Sequence, residues 1–265
     1  MLDLTPRQLQ ILALARKSGN VGVDALSAHF EVTPQTIRKD LNELCDARHL
    51  TRIHGGAMLS SGVENVAYES RRSLASSEKQ LIGRRAAALI PNNTSLFINI
   101  GTTTEEVARA LVRHEGLLVV TNNIHVAAIL SPVPKIEVIV VGGAVRKTDG
   151  GIVGEAAVDT IRQFKLDHAV MGVSAIDEHG ALLDYDYREV RAAQAIIENS
   201  RNVILVADAI KFARSAPVRI GHLSDVNVFV TDQPPPEAVA ELCRSKGVKL
   251  EIAGPTEAGQ GEEAA

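Results

Sequence analysis

The chain has 265 residues, is 45% hydrophobic and 23% charged, and carries a formal net charge of −4. Such a chain can build one large or two unequal cores. The absence of any run of about 18 apolar residues, and of a basic-then-apolar leader, excludes a membrane span and predicts a cytoplasmic protein. The only cysteines, Cys45 and Cys243, lie far apart and read as free thiols, not as a disulfide framework.

The acidity is uneven. Residues 1–59 hold seven Lys/Arg against six Asp/Glu, a net of +1, and the remainder holds 21 against 26, a net of −5. A charge of +1 is too small to argue for nucleic acid, so any such argument must come from pattern.

Thr5-Pro6 reads as a helix start, with Thr as the cap and Pro at the first helical position. Leu9, Ile11, Leu12 and Ala15 follow near helical spacing, and Ser18-Gly19-Asn20 stops the helix. A second helix is expected from about Asp24 to Phe30, burying Ala25, Leu26 and Phe30. Glu31-Val32 leaves room only for a tight turn. Thr33-Pro34 then opens a third helix, Gln35 to Leu44. On a 3.6-residue wheel Ile37, Leu41 and Leu44 share one side, while Gln35, Lys39 and Asn42 gather on the other, flanked by Thr36 and Arg38. Gln and Asn suit adenine edges, and Arg and Lys suit guanine or phosphate. His49 to His54 reads as a strand entering a Gly55-Gly56 turn, with Ala57-Met58-Leu59 returning as a wing. Arg52 and His54 then share a face turned toward the DNA backbone or minor groove. The predicted DNA-contacting set is Thr33, Gln35, Thr36, Arg38, Lys39, Asn42, Arg52 and His54.

Residues 60–77 are small and polar, as expected of a linker, and a helix follows from Glu78 to Ile90 with Leu81, Ile82, Ala86, Leu89 and Ile90 on its apolar side. From there apolar β-branched runs alternate with helical stretches. Strands are expected at 95–100, 117–121, 136–141, 169–173, 203–207 and 226–230, and helices at 105–111, 124–130, 156–163, 188–199 and 237–245. That alternation predicts an α/β fold with a mostly parallel sheet over 78–253. Residues 254–265 read as a disordered tail.

The strand ends carry the chemistry. Gly101, Thr102, Thr103 and Thr104 follow the first strand of this domain, with Asn99 near its end. Thr121, Asn122 and Asn123 follow the second, Gly142 and Gly143 the third, and Asp208 and Lys211 a later one. In an open parallel sheet such ends share one crevice. Thr hydroxyls, helix N-termini and cations such as Lys211 or Arg146 suit a phosphate. There is no dinucleotide fingerprint, no Walker loop and no histidine cluster, so neither a cofactor nor a metal is expected.

Val32-Thr33-Pro34-Gln35-Thr36-Ile37-Arg38-Lys39-Asp40-Leu41-Asn42-Glu43-Leu44, with His54-Gly55-Gly56-Ala57 after it, resembles the recognition helix and wing of the DeoR family of bacterial repressors. The resemblance spans about residues 5–252. It implies a winged helix-turn-helix followed by a sensor domain related to ribose-5-phosphate isomerases and coenzyme A transferases. It also implies operator DNA as partner, a phosphorylated polyol such as glycerol 3-phosphate as inducer, and a homo-oligomer, often a tetramer. Asn99 replaces an acid usual in the family, and Ile210-Lys211-Phe212-Ala213 replaces its Ser-Lys-Phe-Gly. The competing reading is a sugar-phosphate isomerase with a helical appendage, in which Glu189 or Asp208 is the base.

Overall fold

The computed structural model describes residues 4–18, 20–47, 49–53, 55–59 and 68–254. The first unit contains α1 (Pro6–Ser18), β1 (Asn20–Gly22), α2 (Val23–Phe30), α3 (Pro34–Asp46), β2 (Leu50–Ile53) and β3 (Gly56–Leu59). Thr5 and Gln8 cap α1 reciprocally: the Gln8 amide oxygen accepts from Thr5 N–H at 2.9 Å, and Thr5 Oγ1 accepts from Gln8 N–H at 3.2 Å. The α2–α3 turn is as tight as the sequence predicts, with Glu31 left-handed at φ 52°. Thr33 caps α3, its hydroxyl accepting from Thr36 N–H.

The apolar sides of the three helices meet in one core of Ile11, Leu12, Ala15, Leu26, Ile37, Leu41, Leu44, Leu50 and Ala57. Two expectations fail here. Leu9 is 55% exposed, and Ile11 takes the inward position. Ala25 is also exposed, because α2 turns Val23 and Leu26 inward instead. β2 and β3 form the expected antiparallel wing, and β1 adds an unforeseen third strand beside β3. Gly56 makes that pairing possible: a Cβ there would lie 2.0 Å from the Val21 carbonyl oxygen.

Part of the expected linker is helical. α4 (Tyr68–Ser73) and α5 (Ser76–Ala87) precede the sheet; the rest of the expected linker up to residue 67 lies outside the described residues. The sensor unit then runs β4 (Ser95–Ile98), α6 (Thr102–Leu111), β5 (Leu117–Thr121), α7 (Ile124–Leu130) and β6 (Ile136–Val140). After the short hairpin β7 (Ala144–Val145) and β8 (Ile152–Val153) come α8 (Glu155–Ile161), β9 (Leu166–Met171), β10 (Ala175–Ile176) and β11 (Ala181–Asp184). The chain closes with α9 (Tyr187–Glu198), β12 (Ser200–Val206), a 3-10 turn (Ala209–Ala213), β13 (Val218–His222), β14 (Val228–Thr231), α10 (Glu237–Lys246) and β15 (Lys249–Ile252). Of the expected tail, residues 255–265 lie outside the described residues.

The main sheet has seven parallel strands in the order β15-β14-β12-β9-β4-β5-β6. Alternation sends side chains to opposite faces. Leu96, Ile98, Val170, Ile204 and Val206 pack with Ile82, Ala86, Val107 and Leu111 of α5 and α6. Phe97, Ala169, Met171, Val203 and Leu205 pack with Ile161, Val190 and Ala193 of α8 and α9. Both faces are covered, as a parallel sheet requires. From β4 the chain first winds toward β6, then crosses to β9 on the other side. The order therefore reverses between β4 and β9, and sheets of this kind place their ligand crevice at the carboxyl ends of the strands at such a point. The smaller sheet β10-β11-β13 is antiparallel.

Candidate functional sites

α3 presents the predicted polar face. Gln35, Arg38, Lys39 and Asn42 are exposed, Thr33 is exposed at the cap, and Thr36 is partly buried. Lys39 has only a loose 4.0 Å approach to Glu43, and both side chains are solvated. Arg38 makes no ion pair among the described residues. The opposite side of α3 is fastened to α1. Arg7 grips buried Asp40 through Nε–Oδ2 at 2.6 Å and Nη2–Oδ1 at 3.3 Å, and Gln8 donates to Glu43 at 2.6 Å. These bonds fix the angle at which the helix projects. Arg52 lies on β2 opposite Ala57, and His54 lies outside the described residues.

In the sensor unit most of the predicted residues are brought to the strand ends, yet many spend their polar atoms on the fold. Gly101 enters α6 at φ 151°, which favours glycine, and supplies no side-chain cap. Thr104 Oγ1 donates to the Asn99 and Gly101 carbonyls at 2.7 Å each. The Asn99 side-chain oxygen accepts from Ile100 N–H at 2.7 Å. Thr121 donates to the Ile98 carbonyl, and Asn123 caps α7 while donating to Glu105. Asn122 donates to the Ile152 carbonyl, but its own side-chain oxygen is buried without a partner among the described residues. Thr102 and Thr103 are buried at the start of α6. Gly142 and Gly143 are exposed on the far side of β5.

Arg146 is committed elsewhere. Its guanidinium donates to Asp149 at 2.8 and 2.7 Å, to Asp186 at 2.9 Å and to Glu189 at 2.5 Å. Despite the cost of its burial, these carboxylates hold it protonated, well above the ordinary arginine range. Burial lifts the Glu189 carboxyl, reinforced by neighbouring Asp184, which burial lifts as well. Hydrogen bonds from Arg188 and Arg146 outweigh the burial of Asp186 and hold it at about 2.

The sequence reading missed three cations at the crevice. Arg71 of α4 donates to Asp149 at 3.0 Å, and its carbonyl accepts from Thr102 Oγ1 at 3.5 Å. Lys79 of α5 is buried, its ammonium donating to the Arg71 and Leu74 carbonyls at 2.5 and 2.6 Å. Arg214, just beyond the 3-10 turn, is only 7% exposed, and its buried Nε has no partner among the described residues. Asp208 is buried in the segment that follows β12, accepting from Ile210 N–H at 3.2 Å. Lys211 stands beside it, partly buried and without an ion pair among the described residues. Loss of solvation, with Arg214 nearby, pulls the Lys211 ammonium down to about 7. Burial lowers Lys79 and Arg214 as well. No group of three or more His, Cys, Asp or Glu able to hold a metal ion occurs among the described residues, and no helix there is long and apolar enough to cross a membrane.

Known proteins match both units. Residues 7–62 match the DeoR-like helix-turn-helix domain, and residues 74–233 match the DeoR C terminal sensor domain. The glycerol-3-phosphate regulon repressor of Escherichia coli (strain K12) is 46% identical over 248 residues, covering 94% of this chain and 98% of that protein. The repressor of the same name from Haemophilus influenzae is also 46% identical, over 92% of this chain and 95% of its own. Among solved structures, ribose 5 phosphate isomerase A from Neisseria gonorrhoeae aligns with 51% of this chain and 53% of its own at 14% identity and a TM-score of 0.38. The chain belongs to the DeoR family, with that family's helix-turn-helix domain at its N-terminal end and its sensor domain after it.

Proposed function

We propose that this protein is an operator-binding transcriptional repressor that releases DNA when a small phosphorylated polyol, glycerol 3-phosphate, enters the sensor crevice. On this reading residues 1–59 grip DNA, 78–253 sense the inducer, and the regulated genes serve glycerol or sugar-phosphate metabolism in the cytoplasm. The observation that carries it is the union in one chain of an exposed Gln35, Arg38, Lys39 and Asn42 face with a crevice rich in buried cations. Both relatives are named for a glycerol-3-phosphate regulon, and on this reading that compound is the inducer.

Operator half-sites call for paired DNA-binding units, and so for a homo-oligomer, with a tetramer as the working assembly. Exposed Val140 on edge strand β6 and Val145 on the β7–β8 hairpin support self-association. A short route joins the two units. Ile210, between Asp208 and Lys211, packs against the helix-turn-helix core. An inducer that rearranges the 3-10 turn would thereby press on the DNA-binding unit, and it must favour the released form to shift the equilibrium.

The isomerase reading loses support from the geometry. Glu189 is tied to Arg146, and Asp208 caps its own turn, so neither stands ready as a base. A gel-shift titration tests the proposal: glycerol 3-phosphate in the millimolar range should release the operator. Unchanged binding would remove it as inducer, and turnover of aldose phosphates by the purified protein would reinstate the enzyme reading.

A further inference from the structure

Arg214 is the anomaly of this molecule. A buried guanidinium almost always finds a carboxylate or several carbonyls, because an uncompensated buried charge is costly. Arg146 shows the ordinary solution, its guanidinium held by three carboxylates.

 The Arg146 side chain is 15% exposed and every direction it faces is answered by Asp149, Asp186 or Glu189. Arg214 is as deeply buried and has no hydrogen bond or ion pair among the described residues.

Its surroundings do not neutralise it. Arg214 lies within electrostatic reach of Asp208, Tyr185 and Arg71, and Lys211 within reach of Arg214, Asp208, Lys79 and Arg71. Asp208 is thus the shared carboxylate of Lys79, Lys211 and Arg214, and it already caps the 3-10 turn. Asp184 also faces Lys211, but burial favours its neutral form. The Tyr185 hydroxyl is spent on the Ser215 carbonyl at 2.8 Å. The site holds an excess of positive charge, and the buried Nε of Arg214 has no acceptor among the described residues.

We propose that Arg214, with Lys211, is the anchor for the phosphate group of the inducer, the guanidinium offering a paired hydrogen bond and the ammonium a point charge. This rests on the reading of the crevice as the inducer site, and adds to it a residue, a ligand group and a cost. The ligand-free protein carries an unpaired buried cation, and the bound phosphate relieves it.

The test uses the full-length protein in thermal-shift and calorimetric titrations with sn-glycerol 3-phosphate, inorganic phosphate and glycerol. At one hundred times its dissociation constant, glycerol 3-phosphate should raise the wild-type melting temperature by roughly 5–10 °C. Inorganic phosphate should give a smaller rise and glycerol none. Arg214→Gln should melt above wild type without ligand and lose the response to both phosphates. Arg214→Lys should fold as wild type and bind glycerol 3-phosphate roughly tenfold more weakly.

Equal phosphate responses in wild type and Arg214→Gln overturn the assignment, as does a wild type that responds to neither phosphate. If Arg214→Gln does not fold, wild-type affinity in Arg214→Lys overturns it. The two readings separate cleanly. Phosphate binding through Arg214 without operator release leaves the anchor standing and removes the inducer. Operator release that survives in Arg214→Gln removes the anchor and leaves the repressor.

Discussion

The ring of Tyr68 lies flat on the ring of His125, with centroids 4.8 Å apart and planes 9° from parallel. The same tyrosine donates its hydroxyl to buried Glu105 at 2.9 Å. Tyr68 begins α4, which follows the DNA-binding unit in the chain, whereas His125 and Glu105 belong to α7 and α6 of the sensor. With Arg71 donating to Asp149, these contacts seat α4 against the sensor beside the start of α6. Tyr68→Phe keeps the stack and loses the charge-assisted hydrogen bond, and should cost about 1–2 kcal/mol in urea unfolding of the sensor unit. Tyr68→Ala should cost about 1 kcal/mol more by removing the stack. Wild-type stability in both variants would show that α4 is not seated this way.

The Arg7–Asp40 pair sets the pitch of the recognition helix. Asp40 is buried on the inward side of α3, and Arg7 reaches it with two donors from α1. Asp40→Ala should destabilise the DNA-binding unit by about 1–3 kcal/mol. A double-mutant cycle with Arg7→Ala should give a coupling of about 1–2 kcal/mol, since the residues touch. A coupling near zero would mean that apolar packing alone holds the helix.

Much of this architecture is legible in the sequence because its signals are local. Thr5-Pro6 and Thr33-Pro34 mark helix starts by capping chemistry, and the apolar runs 117–121 and 203–207 mark buried parallel strands by composition. β1 and the two-residue strands β7, β8 and β10 are not legible, because tertiary pairing creates them. The site divides the same way. Asp208 and Lys211 can be read from their place after an apolar strand. Arg146 reads as a ligand cation beside Gly142-Gly143, until the fold gathers carboxylates from residues 149, 186 and 189 around it. Arg71, Lys79 and Arg214 look like surface charges, because burial is invisible in a single sequence.

The exposed face of α3 makes separable demands on DNA. Lys39→Ala should weaken binding by a similar factor for all sequences, and lower the slope of log affinity against log salt by about 1. Asn42→Ala should instead relax discrimination at one base pair by about 1–3 kcal/mol while leaving the salt slope in place. Fluorescence anisotropy with the operator and single-base variants, across a salt series, reads both quantities. An Asn42→Ala variant that loses affinity uniformly would reassign that residue to the phosphates.

Lys211 should give both stability and inducer affinity a pH dependence. Without ligand its ammonium titrates near 7 in the folded protein, against 10.5 as the ordinary value. Below about 7 both folded and unfolded chains carry this proton, so the full cost of burying the charge is present. As pH rises from about 7 toward 10.5 the unfolded chain binds more protons than the folded one, and stability grows. A phosphate in the crevice reverses the preference, since its negative charge holds the proton on Lys211 among Arg214, Lys79, Arg71, Asp208 and Asp184. Binding at pH 8 should therefore take up a proton, and affinity should fall by up to about tenfold per pH unit above 7. Below about 6 the phosphate itself becomes protonated, which places the optimum between these limits. Calorimetry at pH 8 in buffers of differing ionisation enthalpy measures the uptake directly. Lys211→Met should abolish it, and an equal uptake in wild type and variant would place the titrating group elsewhere.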